Sequence, residues 1–394
     1  MPIFAPFSWK MYLKKLYLRA FRNYLEEEVE FSAQKTILVG NNAQGKSNLL
    51  EAVELLATLK SHRTSRDQEL VLDGAANGQI KALLERQYSV AELEIDLRRS
   101  GRRNLRINQN QCRRQLDFLG CLNAVEFSCL DLDLVRGAPD CRRQWLDTLL
   151  TQLEPLYAHL LGQYQHIVKQ RNALLKSLRQ QWETGLALGE ESTASLSLWD
   201  QQLVEMGTRV VRRRARGLAR LAPLAQEWHG RISGGNETLT VTYQPNVTWV
   251  GDDPEVVHQA FLEKLAQRRS AELHLGTTVV GPHRDEVGFV LDDTPARTYG
   301  SQGQQRTLVL ALKLAELSLI ETVIGEPPLL LLDDVLAELD LDRQGQLLMA
   351  IEDRFQTLIT TTHLSRFDDR WRRSAQILKV NAGQLEERWP SEID

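Results

Sequence analysis

The chain has 394 residues and a formal net charge of −4, and 42% of its residues are hydrophobic. This composition excludes wholesale disorder and a collagen-like repeat, and the length predicts two or three domains, or one domain with a large insertion. No aliphatic run approaches the roughly 20 residues of a membrane-spanning helix. The opening, MPIFAPFSWK, lacks the features of a signal peptide, and residues 1–10 are predicted to be an N-terminal extension before Met11.

The cysteines and arginines limit the kinds of binding site that the sequence predicts. Cys112, Cys121, Cys129 and Cys141 form no C-x-x-C pair, which disfavours a zinc site and predicts reduced cytosolic thiols. The basic residues are 36 Arg and 12 Lys. A local phosphate-binding face is therefore possible despite the negative net charge of the chain. A GC-rich genome would produce the same excess of Arg over Lys.

Hydrophobic periodicity predicts strands and helices at both ends of the chain and helices between them. Strands are predicted at residues 36–39, 93–97, 105–107, 239–243, 277–280, 287–291, 329–332, 357–361 and 377–380. Helices are predicted at residues 45–59, 140–182 with a break at Pro155, 198–221, from Pro254 with Asp253 as N-cap, and 306–320. The Gly-, Ser- and Thr-rich residues 183–197 are predicted to form a loop.

A phosphate-binding loop is predicted where the first buried strand meets a helix. The segment fits G-x-x-x-x-G-K-[ST], and its candidate nucleotide ligands are Gly40, Asn41, Asn42, Ala43, Gln44, Gly45, Lys46, Ser47 and Asn48. Glycines let successive N–H groups point at phosphates, and the helix dipole adds positive potential. Lys46 would neutralise phosphate charge, and Ser47 would ligate Mg²⁺.

An acid pair is predicted at the same sheet edge. Four leucines, Leu329–Leu332, deliver Asp333 and Asp334 to the carboxyl end of a strand, where open α/β sheets bind ligands. Asp333 would hold Mg²⁺, and Asp334 would polarise the attacking water. Both acids could instead be solvated residues at a strand end, but the phosphate-binding loop makes this less favoured.

Three further segments resemble motifs of the ATP-binding-cassette ATPases. Ser301–Gln305 is similar to their signature motif, Ala337–Asp340 resembles the D-loop, and His363 resembles the switch histidine that contacts the γ-phosphate. The resemblance implies that Ser301, Gly303 and Gln304 bind nucleotide and that Asp334, His363 and Lys46 are catalytic. Since the signature of one subunit caps ATP on the other, it also implies an ATP-dependent homodimer.

The resemblance is closest to the RecF family of bacterial recombination-repair ATPases. It is carried by Met11–Leu16 with Phe21–Tyr24, Ser61–Thr64, Leu134–Pro139 with Arg142 and Arg143, Gly281–Asp285, and Gln302 in place of the first Gly of transporter signatures. Asp334 replaces the usual catalytic Glu, which fits slow hydrolysis. The family implies ATP and Mg²⁺ as cofactors and a weak DNA-stimulated ATPase used as a switch. It implies binding to double-stranded DNA and single-strand/double-strand junctions, with RecO and RecR as partners that help to load RecA, in the bacterial cytoplasm at the nucleoid.

The expected fold is α/β: an ATP-binding-cassette (SMC/Rad50-like) P-loop head with a short helical arm inserted. The head is assigned to residues 11–139 and 272–394, and the arm to residues 140–271. Arginines on one helix face of the arm are candidates for phosphate contacts with DNA: Arg209, Arg212, Arg213, Arg216 and Arg220. A solvated face paired with acids is an equally good interpretation, and a second arginine cluster at residues 98–106 is less favoured.

Three other functions remain open from the sequence. A transporter's nucleotide-binding subunit would need a docking groove for membrane helices, and the Arg-rich insertion and Gln302 count against it. A small-molecule P-loop kinase would leave the signature-like segment and His363 unexplained. A head that works with a nuclease is disfavoured by the short arm.

Overall fold

The computed structural model describes residues 11–86, 89–184, 190–337, 339–351, 354–367 and 369–388. By their internal contacts these residues form two units. The first lies within residues 11–132, 228–236 and 302–388, and the second within residues 133–227 and 237–301. The domain boundaries expected at residues 139/140 and 271/272 stay predictions; the second unit also takes in residues 133–139 and 272–301. The extension at residues 1–10 lies outside the described residues.

The strands and helices are numbered separately in chain order. The strands are β1 (Met11–Phe21), β2 (Tyr24–Glu30), β3 (Lys35–Val39), β4 (Asn77–Arg86), β5 (Ser89–Arg98), β6 (Asn104–Ile107), β7 (Asn110–Gln111), β8 (Ala124–Ser128), β9 (Leu239–Gln244), β10 (Glu286–Leu291), β11 (Thr294–Pro295), β12 (Leu329–Asp333), β13 (Thr357–Thr361), β14 (Ala375–Asn381) and β15 (Gln384–Arg388). The helices are α1 (Lys46–Thr58), α2 (Gln115–Phe118), α3 (Asp133–Arg136), α4 (Pro139–Leu153), α5 (Leu156–Glu183), α6 (Glu190–Ile232), α7 (Pro254–Leu275), α8 (Ala296–Tyr299), α9 (Gln302–Ile324), α10 (Leu341–Ile351) and α11 (Asp369–Ser374).

A mostly parallel sheet with the order β15-β14-β3-β13-β12-β8 forms the core of the first unit. Only β15 runs antiparallel to its neighbour. Strands buried on both faces read as continuous apolar runs, and Leu329–Leu332 are each at most 1% exposed. Because β3, β13 and β12 are adjacent and parallel, the residues that follow them meet at one edge of the sheet. The predicted α/β fold class is confirmed.

A second sheet in this unit, β2-β1-β4-β5-β6-β7, is antiparallel throughout. Its strands β5 and β6 form the hairpin predicted from the alternation of Leu93, Ile95 and Leu97, and Ile95 pairs with Leu105. Leu93, Ile95 and Leu97 are buried. Of the residues between them Asp96 is partly exposed, whereas Glu94 is buried and pairs with Arg106 at 2.6 Å.

The second unit is mainly helical and carries the small antiparallel sheet β11-β10-β9. The predicted break at Pro155 separates α4 from α5, and Asp253 caps α7 by accepting a hydrogen bond from Glu255 N at 2.9 Å. Arg171 is fully buried among these helices, and its guanidinium binds Asp200 at 2.8 Å and Glu272 at 2.5 Å. Among the described residues, no helix is long and apolar enough to cross a membrane.

Two sequence predictions in this unit are wrong. Residues 277–280 form no strand, because side chains satisfy their backbone: Thr278 N donates to Asn172 Oδ1 at 2.7 Å and Val279 N to Glu272 Oε1 at 2.8 Å. The loop predicted at residues 183–197 is wrong for residues 190–197, which belong to α6, and α6 continues to Ile232 rather than ending at Leu221. Within that segment, Leu196 is buried in a cluster with residues of α5, so packing outweighs the local Ser and Thr content. Residues 185–189 lie outside the described residues.

Candidate nucleotide-binding site

The loop between β3 and α1 has the backbone that a phosphate cradle needs. Gly45 has φ +116° and Ala43 has φ +64°, so the chain curls before α1 begins at Lys46. A Cβ at Gly40 would lie 2.3 Å from the carbonyl oxygen of Val380, and a Cβ at Gly45 would lie 2.8 Å from the Asn23 amide. Both glycines are therefore required by conformation or by close approach.

Lys46 is folded back over this loop. Its ammonium donates hydrogen bonds to the carbonyl oxygens of Gly40, at 2.7 Å, and Asn41, at 2.9 Å. Burial lowers the pKa of Lys46, while the charges of Asp334 and Asp333 act in the opposite direction. The geometry holds a cation at the mouth of the loop, where it can exchange the two carbonyls for phosphate oxygens.

Asp333, at the end of β12, lies against the start of α1. Its Oδ1 accepts hydrogen bonds from Ser47 Oγ at 2.8 Å and from Thr360 Oγ1 at 2.7 Å. A hydroxyl and a carboxylate are oxygen ligands of the kind that Mg²⁺ takes alongside phosphate and water. The structure thus brings together the two residues, 286 positions apart, that the sequence predicts as metal ligands.

The next residue, Asp334, has a left-handed backbone with φ +54°. Its N–H donates to Thr360 Oγ1 at 2.8 Å, so one threonine of β13 holds both acids. His363 follows β13, is exposed, and closes a local turn in which its N–H donates to Thr361 Oγ1 at 3.2 Å. Asp333 therefore ends β12 and His363 follows the adjacent parallel strand β13, so both lie at the same edge of the sheet, as predicted from the sequence. Their catalytic and metal-binding roles stay predictions.

Residues outside the recognised motif brace the phosphate-binding loop. In the turn between β1 and β2, Asn23 Nδ2 donates to the Gln44 carbonyl at 2.9 Å. At the start of β2, Tyr24 OH donates to the Gly45 carbonyl at 3.0 Å. From the turn between β14 and β15, Ala382 N donates to Gln44 Oε1 at 2.8 Å. Sequence reasoning missed these braces and Thr360. The Phe21–Tyr24 segment contributes to the family resemblance, but the sequence does not reveal its contacts with the loop.

The segment that resembles the signature motif leads directly into α9. Ser301 and Gln302 are exposed, and Gly303 and Gln304 lie in the first turn of the helix. Arg343 on α10 joins this helix to the D-loop-like segment, since its Nε donates to Thr307 Oγ1 at 2.8 Å and its guanidinium pairs with Asp340. Glu338 of that segment lies outside the described residues.

Four of the five arginines predicted to contact DNA are paired with acids in the second unit. Arg212 and Arg216 bind Asp252 at 3.0 and 2.6 Å, and hydrogen bonds from Arg216 and Arg212 lower the pKa of its carboxyl. Arg213 binds Glu154 at 3.0 Å, and Arg209 binds Glu205 at 2.8 Å. Arg220 is exposed. Since exposed ion pairs are worth only about 0–1 kcal/mol, phosphates could replace the acids, and the DNA role of this face stays a prediction.

The Gly281–Asp285 motif lies in the core of the second unit. His283 Nδ1 is 2.6 Å from Tyr164 OH, and burial lowers the pKa of His283 to about 4. Asp285 is 1% exposed and binds Arg214 at 3.2 Å. A Cβ on Gly281 would lie 2.5 Å from Tyr164 OH. These contacts account for the motif by packing alone.

Comparison with known proteins gives one consistent family. A family model described as the RecF/RecN/SMC N-terminal domain matches residues 12–385. A protein described as DNA replication and repair protein RecF from Gloeothece citriformis is 66% identical over 381 residues, covering 95% of this chain and 99% of that protein. Another with the same description, from Rippkaea orientalis, is 64% identical over 380 residues, covering 95% and 99%.

Solved structures agree with this result. A structure of the recombination mediator protein RecF with ATP, described as part of the RecFOR pathway, is 30% identical with a TM-score of 0.87, covering 98% of this chain and 99% of that one. The head domain of Smc from Pyrococcus furiosus is 15% identical with a TM-score of 0.53, covering 97% of each chain, which is a likeness of fold alone.

Proposed function

Because the chain belongs to the RecF family, we propose that it is an ATP-binding DNA replication and repair protein of the recombinational gap-repair pathway. The observation that carries the proposal is the contact between Ser47 and Asp333 at the edge of the central sheet, beside a phosphate-binding loop. Membership of this family disfavours the transporter-subunit alternative. Lys46 and the N–H groups of the loop would bind the phosphates, and Ser47 and Asp333 would hold Mg²⁺, which shields phosphate charge when bound.

ATP bound between two copies of the chain would hold them together as a homodimer. Lys46 and one helix N-terminus leave part of the triphosphate charge uncompensated. The N-terminus of α9 on a second copy, with Ser301 and Gly303 exposed or half-exposed, would supply further donors to the γ-phosphate. Loss of that phosphate would then release the dimer, which makes the ATP a switch.

Hydrolysis would be slow. Asp334 would orient the attacking water, and His363 would contact the γ-phosphate from the neighbouring strand end. The side chain of Asp334 is one methylene shorter than that of Glu, and its N–H is already bound to Thr360. A carboxylate that is too far from its water gives weak general-base assistance. We expect DNA to stimulate this weak ATPase.

The dimer would act on duplex DNA next to single-stranded gaps. RecO and RecR would be its protein partners there, and the outcome would be the loading of RecA, in the cytoplasm at the nucleoid. The arm arginines Arg209, Arg212, Arg213 and Arg216 would exchange their acidic partners for phosphates, and the exposed Arg220 would add a further phosphate contact. Such contacts carry no sequence information, as suits a protein that must act at any gap.

Light scattering after gel filtration tests the switch. We expect dimers with ATP and monomers with ADP or without nucleotide, and tighter duplex binding by the dimer. Lys46→Arg should lose the ATP response while keeping the fold. Ser301→Arg should bind ATP as a monomer, whereas Ser65→Arg, at another exposed serine, should dimerise normally. Normal dimers of Ser301→Arg, or monomers of the wild type under every condition, would refute the shared site.

The DNA face has its own test. Replacing Arg212, Arg213 and Arg216 by Glu should weaken duplex binding and reduce its dependence on salt, because each lost phosphate contact lowers the slope of log K against log salt by about 0.9. The same change at Arg98, Arg99 and Arg102 of the β5–β6 hairpin is the matched control. If only the hairpin variant loses binding, the DNA site lies on the first unit and not on the arm.

A further inference from the structure

Three side chains of metal-ligating types meet near the C-terminal end of α1, apart from the residues of the nucleotide site. Glu54 lies on the last turns of α1, His62 follows that helix, and Glu126 lies on β8. His62 Nδ1 is 2.8 Å from Oε2 of Glu54 and 2.8 Å from Oε2 of Glu126. One ligand atom from each residue lies within 4.8 Å of the others. We call these three residues the His62 cluster.

The His62 cluster is poorly solvated for a group of this charge. The side chains of Glu54, His62 and Glu126 are 14%, 19% and 12% exposed. Glu126 Oε1 is buried and, within the described residues, has no hydrogen-bond partner. Leaving a buried carboxylate oxygen unpaired is costly, and each such atom in a native structure calls for an explanation, such as an ion.

Charge balance points the same way. Two carboxylates share one imidazole, so even a protonated His62 leaves one negative charge. The nearby cation is already committed, because Lys313 Nζ lies 2.8 Å from Asp131 and 3.7 Å from Glu316. His62 Nδ1 lies 2.8 Å from a carboxylate oxygen of each glutamate, so one ring nitrogen faces two acids. A cation bound among the three side chains would supply the missing positive charge.

We propose that Glu54, His62 and Glu126 bind a divalent transition-metal cation such as Zn²⁺, at a site separate from the one formed by Ser47 and Asp333. Zinc takes imidazole nitrogen and carboxylate oxygen at about 2.0–2.2 Å in tetrahedral geometry, which spaces neighbouring ligand atoms by about 3.3 Å. The 2.8 Å separations need to widen by only about half an ångström on this basis. Water or the free oxygen of Glu126 completes the coordination.

The ligand set selects the metal class. Mg²⁺ and Ca²⁺ prefer sites made of oxygen alone, whereas imidazole favours zinc and the late transition metals. His62 must lose its Nδ1 proton when the metal binds, since only the neutral imidazole ligates. Zinc binding should therefore release a proton to the buffer and tighten as the pH rises. Asp131 and Lys313 are the other charged groups that act on Glu126. Because they form an ion pair with each other, they do not change the direction in which zinc affinity varies with pH.

A metal bound at the His62 cluster would be coupled to the nucleotide loop through Arg63, the residue after His62. Arg63 Nη1 donates to Asn48 Oδ1, in the first turn of α1, at 2.6 Å, and to the buried Glu51 at 3.3 Å. A metal that joins Glu54, His62 and Glu126 would tie together α1, the segment after it and β8. That segment carries Arg63, so the metal would hold its guanidinium against the start of the phosphate-binding helix.

The test is zinc binding to the full chain, stripped with a chelator and free of nucleotide, measured by calorimetry and by metal analysis after dialysis. We expect one Zn²⁺ per chain, no competition from equimolar Mg²⁺, and a binding enthalpy that varies with the ionisation enthalpy of the buffer. His62→Gln and Glu126→Gln should weaken Zn²⁺ binding by more than the roughly 10–100-fold that loss of an outer-shell partner costs. Glu54→Gln, at the edge of α1, serves if either variant fails to fold.

The controls separate this site from the others. His159→Gln, at an exposed histidine, and Asp333→Asn, in the nucleotide site, should bind Zn²⁺ as the wild type does. No stoichiometric zinc in the wild type, or unchanged affinity in His62→Gln and Glu126→Gln, would overturn the proposal. Loss of zinc only in Asp333→Asn, or only in Cys112→Ser, would assign the metal to the nucleotide site or to thiols and would equally refute it.

Discussion

Thr360 is the residue through which the central sheet organises both acids, and replacing it by Val should be costly. Its hydroxyl is fully buried, donates to Asp333 Oδ1 at 2.7 Å and accepts from Asp334 N at 2.8 Å. A hydrogen bond to a charged group is worth about 1.5–3 kcal/mol, and an amide left without its acceptor adds at least about 1 kcal/mol. Since valine has nearly the same shape, we expect a loss of about 3 kcal/mol in the free energy of unfolding with little change in packing.

Thr357→Val is the matched control on the same strand. Thr357 is equally buried, but its hydroxyl donates only to the Phe355 carbonyl at 3.0 Å, so its loss should cost about 1 kcal/mol. Urea unfolding with a shared slope measures the difference. Titration with a fluorescent ATP analogue, with and without Mg²⁺, measures the site. Thr360→Val should lose most of the Mg²⁺-dependent gain in affinity, and Thr357→Val should keep it. Equal destabilisation of the two variants, or an unaltered Mg²⁺ effect in Thr360→Val, would refute this reasoning.

Gly45→Ala should fold but lose at least about tenfold in ATP affinity, equivalent to about 1.4 kcal/mol, because a Cβ there meets the Asn23 amide that braces the loop. Gly74→Ala also places alanine at positive φ, with open space around it, and should leave nucleotide binding unchanged. If both variants lost ATP affinity equally, the loss would result from backbone strain in general and not from the contact with Asn23. In the metal-free state, the wild type should have a larger free energy of unfolding than His62→Gln. This difference should be complete below pH 6.5 and disappear as the pH rises through about 10, because the pKa of His62 is raised in the folded protein. Thermal melts in chelator across that range measure it, and an advantage that grows with pH would contradict the assignment of the proton to His62.

The parts of the predicted nucleotide site could be recognised in the sequence because their signals are local. A glycine-rich turn between a buried strand and a helix can be recognised within ten residues, and Leu329–Leu332 identify a strand covered on both faces. Asp333 and Ser47 could then be placed together from the rule that parallel strands present their carboxyl ends at one edge. Asn23, Thr360 and Ala382 could not be found in this way, since each acts through a side chain or N–H that reaches the site from another turn or strand.

The secondary structure of the second unit shows the opposite case. Val279 and Val280 look like part of a strand, but Asn172 and Glu272 satisfy the local N–H groups, and no sheet partner is needed. The polar residues at 190–197 favour a loop, yet burial of Leu196 against α5 continues the helix. In both places a contact with residues distant in sequence outweighs a local preference of a few tenths of a kcal/mol per residue.

The arginine clusters and the His62 cluster show what the sequence alone could not predict. Composition indicated an excess of Arg, but only the folded chain decides that Arg212 and Arg216 share Asp252 while Arg214 is buried as a structural ion pair. Likewise, Glu126 is 64 residues from His62, and nothing in their spacing joins them. The sequence by itself determined the fold class, the nucleotide loop and the order of the motifs, because those signals lie in short segments with a strict backbone requirement. The tertiary structure decided which charges meet, because that depends on the register of β8 and the end of α1, which bring separate parts of the chain to the same few ångströms.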